Sequence, residues 1–119
     1  MDERLRPTER LKRSSEYDEV FKCSSCFRSA CLRIVFRETD RELSRLGLVV
    51  SRRLGNAVTR SRLRRLLREV FRRNKHSLPT PMDVVLVPQG TPRGYRDYLA
   101  VFRSFVERAA TRQKGEHRR

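Results

Sequence analysis

The chain has two histidines and 14 acidic residues against 29 basic ones, so the side chains that most often do acid–base chemistry are in short supply. His76 and His117 have no companion Asp, Glu or Cys at a spacing that supports nucleophilic or general-base work. No glycine-rich phosphate loop and no carboxylate cluster suited to Mg²⁺ can be found. These absences exclude the familiar kinds of side-chain catalysis and leave a binder. Long apolar runs are missing too: "LGLVVS" and "DVVLVP" are far too short to span a bilayer. The opening "MDERLRPTER" lacks the apolar stretch of a signal peptide. The expectation is a soluble cytoplasmic protein with no membrane partner. Cysteine is limited to Cys23, Cys26 and Cys31, an odd number that argues against a disulfide framework and suits a reducing compartment. "CSSC" looks like half a zinc site, but zinc needs a second close pair, and Cys31 with His76 or His117 is a poor substitute. Free thiols and no bound metal are expected.

What the chain has in excess is positive charge. A formal net charge of +15 on 119 residues favours a polyanionic partner, nucleic acid before an anionic membrane, and fast, salt-sensitive association. Only Lys12, Lys22, Lys75 and Lys114 are lysines, the rest of the cations being arginine. That bias fits planar contacts to phosphates and bases and equally fits a GC-rich coding sequence. Hydrophobic residues make up 37%, with six Phe and three Tyr, enough for one core, and there is no internal repeat. One small domain is expected.

Residues 1–13 are polar and read as a flexible basic arm. In "SSEYDEVFK", Ser15 followed by Asp18 resembles a capping box, and Tyr17, Val20 and Phe21 share one face of a short helix. Leu32, Ile34 and Phe36 alternate with Arg33, Val35 and Arg37, the period of a half-buried strand with a basic outer face. A weaker strand signal precedes it at Cys26–Arg28. Leu46–Ser51 reads as a strand forming an antiparallel hairpin with the first. Asn56 is a good N-cap for a helix whose Leu63, Leu66, Leu67, Val70 and Phe71 form an apolar stripe. "DVVLVP" is a strand covered on both faces, or nearly so. Tyr95, Tyr98, Leu99, Phe102, Phe105, Val106 and Ala109 make a last amphipathic helix. The order α-β-β-(β)-α-β-α predicts an α+β two-layer sandwich over residues 14–110. The long helices cover one face of the sheet, the first helix is free to sit at an edge, and 111–119 form a disordered basic tail.

The charge is concentrated. Residues 52–75 hold ten basic side chains and one acid, Glu69, a local charge of +9. Arg64, Arg68 and Arg72 repeat at i, i+4, i+8, with Arg62, Arg65 and Arg73 beside them. Each like-charged pair at that spacing costs about 0.2–0.5 kcal/mol, and Arg near the helix start meets the positive end of the dipole. Phosphates would relieve both costs. Tyr17 and Phe21, four apart, are core by the usual rule; a cleft between them and the Arg33, Val35, Arg37 face would also suit a single-stranded nucleic acid.

At "SRRLGNAVTRSRLRRLLREVFR" the sequence resembles the bacterial ribonuclease P protein component, the small basic subunit that accompanies a catalytic RNA. "RLKRSSEYDEVFK", "RLGLVVSRRLGNAVTR" and "DVVLVPQG" extend the resemblance in order along most of the chain. Two departures stand out. The usual Arg-Asn-Arg is Arg60-Ser61-Arg62, in which serine loses the amide's paired hydrogen bonds, and the glycine after the first helix is replaced by Cys23-Ser24-Ser25-Cys26. The resemblance implies a left-handed βαβ crossover, like that in the second domain of a ribosomal protein, which periodicity would never indicate since most crossovers are right-handed. It implies RNA-subunit binding by Arg52, Arg53, Asn56, Arg60, Arg62, Arg64, Arg65 and Arg68. It implies that the 5′ leader of precursor tRNA lies between Tyr17 and Phe21 as walls and Arg33, Val35 and Arg37 as floor. No catalytic side chain, no cofactor on the protein and no obligate protein partner are implied; Mg²⁺ would come through the RNA subunit, whose hydrolysis leaves a 5′-phosphate on mature tRNA. The alternatives are a ribosomal or other structural RNA-binding protein without turnover, and a helix-turn-helix DNA binder, which would need a helix directly before Gly55 where the sequence reads as strand.

Overall fold

A computed structural model describes residues 7–22 and 25–116, with side chains described as far as Thr111. The elements are α1 (Ser14–Lys22), β1 (Ser25–Arg28), β2 (Leu32–Glu38), β3 (Arg45–Leu48), α2 (Ala57–Asn74), β4 (Met82–Pro88) and α3 (Tyr95–Glu116). The strands form one sheet in the order β1-β2-β4-β3. β1 and β4 flank β2 antiparallel, and β3 runs parallel to β4.

β4 therefore separates β2 from β3, and the expected β2–β3 hairpin does not form. The physical reason lies in β4 itself. Val84 and Leu86 face one layer, Val85 faces the other, and all are fully buried, so this strand needs neighbours on both edges and cover on both faces. The connection from Thr39 to Ser44 also lacks the Asn-Gly or Asp-Gly chemistry of a tight hairpin turn. β3 reaches β4 through α2, a parallel crossover with the order expected. β3 ends at Leu48 rather than Ser51; Val49 still donates its N–H to the Leu86 carbonyl at 3.1 Å, while Ser51 caps a 3₁₀ turn at Arg52–Leu54.

The main core lies between the sheet and the two long helices. Ile34, Leu46, Val84 and Leu86 meet Leu63, Leu67, Val70 and Phe71 of α2 and Tyr98, Phe102 and Phe105 of α3. Phe36 meets Phe105 edge-on, with ring centroids 4.8 Å apart. A second, smaller core on the opposite face joins Leu11, Val20, Val35 and Val85, with Tyr17 packed against it. So α1 covers part of the second face instead of sitting at an edge.

Residues 7–13 are not a loose arm. Pro7–Glu9 form a 3₁₀ turn, Leu11 is buried and donates its N–H to the Leu46 carbonyl at 2.8 Å, and buried Glu9 pairs with Lys75 Nζ at 2.6 Å. Residues 1–6, the rest of the expected arm, lie outside the described residues. The helix start also differs: Glu16, not Ser15 and Asp18, does the capping, its Oε1 accepting from the N–H groups of Lys12 at 2.8 Å and Arg13 at 3.0 Å. These two bonds, with Arg45 beside them, hold the Glu16 carboxyl at about 2. At the other end α3 runs through Thr111 to Glu116, so the expected tail is helical up to there, and 117–119 are outside the described residues.

Candidate nucleic-acid interface

α2 is placed by its ends and its stripe. Leu54 is buried just before it, Gly55 takes φ +142, and Asn56 caps the helix by accepting the Thr59 N–H at 2.9 Å. A side chain at 55 would be strained by that φ and would crowd Thr59 Cβ at 3.1 Å. Asn56 thus has a structural task in addition to being exposed. With Leu63, Leu67, Val70 and Phe71 turned into the core, most of the remaining circumference is occupied by arginine.

Along α2 the charge divides into two parts. Near its C-terminal end, Arg72 and Arg73 share Glu69 at 2.9 and 3.2 Å, and the Arg72 hydrogen bond, first among the causes, holds the Glu69 carboxyl below its ordinary range. Towards the N-terminus, Arg52, Arg53, Arg62, Arg65 and Arg68 are exposed and Arg60 and Arg64 half-buried, and none has a carboxylate partner among the described residues. Arg60 is steadied by donating Nε–H to the Gly55 carbonyl at 3.3 Å. Ser61 is exposed. The start of a rigid helix and the 3₁₀ turn before it thus carry a run of guanidiniums with no carboxylate partner among the described residues.

The second candidate surface is the sheet face under α1. Here the structure corrects the expected floor. Val35 is 1% exposed and belongs to the core beneath α1, so no ligand reaches it. Arg37 is committed to Asp83 at 3.1 Å and Glu19 at 3.2 Å. What stays open is one row further along the strands, where Arg28 pairs with Arg33 and Arg33 with Val87. Phe21, 39% exposed, stands over this row with the Arg33 guanidinium 5.9 Å from its ring centroid. Arg33 Nε is buried and has no hydrogen-bond partner among the described residues. Tyr17 is half-buried and its hydroxyl accepts the Leu48 N–H at 3.2 Å, so it anchors α1 to β3 as well as lining the surface.

Two features escaped the sequence. Tyr17 opens on a small pocket of about 170 Å³ that also holds Arg10, Arg64 and Arg68, so the aromatic helix and the arginine helix meet at one place. Arg10 sits in a segment whose composition suggested only an arm. The other is a buried ion cluster: Arg45 binds Asp83 through Nε at 2.8 Å and Nη2 at 2.9 Å, and Glu16 through Nη1 at 2.6 Å. Burial opposes ionisation of Asp83, yet bonds and charge from Arg45 and Arg37 outweigh it and keep its carboxyl below the usual range. Among the described residues no group of three or more His, Cys, Asp and Glu could hold a metal ion; Cys23 lies outside them. No helix among them is long and apolar enough to cross a membrane.

A four-stranded sheet with one parallel β–α–β unit, whose helix presents arginines with no carboxylate partner among the described residues and whose opposite face carries a basic row edged by Phe21, defines a small basic nucleic-acid-binding protein of the α+β class. The chain belongs to the ribonuclease P protein family: the family model described as Ribonuclease P matches residues 5–112. It is 36% identical over 89 residues to the ribonuclease P protein component of Thermotoga maritima, covering 75% of this chain and 76% of the relative. It is 42% identical over 85 residues to that of Syntrophobacter fumaroxidans, covering 71% of each. Among solved structures, the RNase P protein from Thermotoga maritima superposes with a TM-score of 0.75 at 29% identity, covering 84% of this chain and 96% of that one. The Staphylococcus aureus RNase P protein shares the fold, with a TM-score of 0.73 at 22% identity over 86% and 94% of the two chains.

Proposed function

We propose that the chain is the protein subunit of ribonuclease P, which binds the catalytic RNA subunit and the 5′ leader of precursor tRNA and so assists endonucleolytic removal of the leader in the cytoplasm. The observation that carries this is the set of guanidiniums on α2 and the turn before it that have no carboxylate partner among the described residues, in a chain of this family. Arg52, Arg53, Arg60, Arg62, Arg64, Arg65 and Arg68 neutralise phosphates of the RNA subunit, with Asn56 holding the helix start. Releasing counterions from those phosphates drives binding and makes it salt-dependent. The leader lies along the Arg28, Arg33, Val87 row, with Phe21 as a stacking wall and Tyr17 at the junction with Arg64 and Arg68.

No protein side chain is needed for bond breaking. When bound through the RNA subunit, Mg²⁺ would supply the activated water for hydrolysis of the phosphodiester, which leaves the 5′-phosphate on mature tRNA. The protein's part is to place the leader and to lower repulsion between two polyanions. The test is reconstitution: purified protein is added to a bacterial ribonuclease P RNA at low Mg²⁺, and cleavage of precursor tRNA is followed. Stimulated release of the leader supports the proposal. RNA binding without stimulation would replace it by a structural RNA-binding role.

A further inference from the structure

Val58 is 78% exposed, more than any other large apolar side chain among the described residues, and it stands on the first turn of the arginine helix. A β-branched residue at an exposed helical position gains neither propensity nor packing. It lines a cleft of about 470 Å³ between the start of α2 and the loop that leads into α3, together with Arg62, Pro92, Arg93 and Asp97.

The far wall of this cleft is held in place. The buried Tyr98 hydroxyl accepts the Arg93 N–H at 2.9 Å, and Asp97 Oδ2 accepts the Gly94 N–H at 3.3 Å. Neither Arg62 nor Arg93 has a carboxylate partner among the described residues. Asp97 Oδ1 likewise has no hydrogen-bond partner among them. Two free guanidiniums, two apolar surfaces and one acceptor facing the same space match the parts of a single nucleotide: flanking phosphates, a base or ribose face, and an amino edge.

We infer that this cleft receives one unstacked nucleotide of the catalytic RNA subunit, so that the RNA-binding surface continues from α2 onto the loop before α3. Arg62 and Arg93 clamp its phosphates, Val58 and Pro92 pack against it, and Asp97 accepts from an amino group. The inference rests on the reading that α2 binds the RNA subunit. Charge and continuity select RNA: the cleft opens off the arginine surface and holds two cations to one acid.

The test uses the full chain and a bacterial ribonuclease P RNA, with affinity titrated across a salt series. Arg93→Ala is expected to weaken binding about tenfold and to lower the slope of log affinity against log salt by about one. Val58→Ser is expected to weaken binding by about three- to tenfold with the slope unchanged, as loss of an apolar contact should. Both side chains are exposed, and equal thermal midpoints for the variants and wild type will show that folding is intact. If both variants bind as wild type while Arg60→Ala with Arg68→Ala, neither of which lines the cleft, binds weakly, the cleft is not a nucleotide site and the RNA-subunit reading stands. If the double variant also binds as wild type, that reading itself fails.

Discussion

Tyr17 lies against the backbone of β3 because residue 47 is glycine. A Cβ there would stand 2.6 Å from Tyr17 Cε1 and 2.9 Å from Leu11 Cδ1, closer than real carbon contacts come. The ring, the Leu48 amide bond to its hydroxyl, and Leu11 together seat α1 on the sheet. Gly47→Ala should therefore lift α1 and cost about 1–3 kcal/mol, read as a lower midpoint in urea. A variant with wild-type stability and wild-type leader binding would show that the contact does not position α1.

Phe21 and Tyr17 should separate in a way their shared helix face conceals. Phe21→Ala, at an exposed ring, should leave stability nearly unchanged and cost precursor tRNA about 1–3 kcal/mol of binding for a stacked base, with mature tRNA unaffected. Tyr17→Ala should reduce both stability and leader binding. Equal loss for precursor and mature tRNA with Phe21→Ala would remove the ring from the leader path.

Arg45 and Asp83 are 5% and 0% exposed, so breaking the pair strands a charge. Asp83→Asn should destabilise the fold by about 3–5 kcal/mol, because a buried guanidinium loses its counterion. Denaturant unfolding measures this directly. A loss below about 1 kcal/mol would mean that Glu16 alone suffices as the partner of Arg45.

Acid should unfold the protein through the same cluster. Glu16 and Asp83 both have carboxyl groups held below their ordinary range, so each contributes stability that is full above that range and is lost as pH falls. For Glu16 the loss runs from about 4.5 down to about 2. The thermal midpoint should drop across that interval, and Glu16→Gln should flatten the drop. A wild-type curve flat from 5 to 2 would contradict the assignment.

Arg60→Ala with Arg62→Ala should weaken RNA-subunit binding and reduce its salt slope by roughly one to two. Binding titrated against salt gives the answer. An unchanged slope would take these two side chains off the phosphate backbone.

Much of this architecture is local, and local patterns can be read from residue order. The spacing of Leu63, Leu67, Val70 and Phe71 dictates which side of α2 is buried, and so which side the arginines must occupy. The unbroken apolar run of β4 announces a strand covered on both faces, and Asn56 marks the helix start it does cap. Net charge and its crowding into residues 52–75 point to a polyanion without any coordinates.

What residue order could not reveal depends on contacts between distant segments. Alternation places Arg33, Val35 and Arg37 on one side of β2, but only the packing of α1 decides that Val35 is sealed, Arg37 is spent on Asp83, and the open row shifts to Arg28, Arg33 and Val87. β3 lies beside β4 rather than β2 because β4 needs two neighbours, a demand set by the whole sheet. Residues 7–13 look like an arm because their buried apolar group, Leu11, finds its partners only on α1, β2 and β4, with a backbone bond to β3. Hydrophobic period and helix caps act over one or two turns; burial, ion pairing and the meeting of Tyr17 with Arg64 and Arg68 arise only when the chain closes on itself.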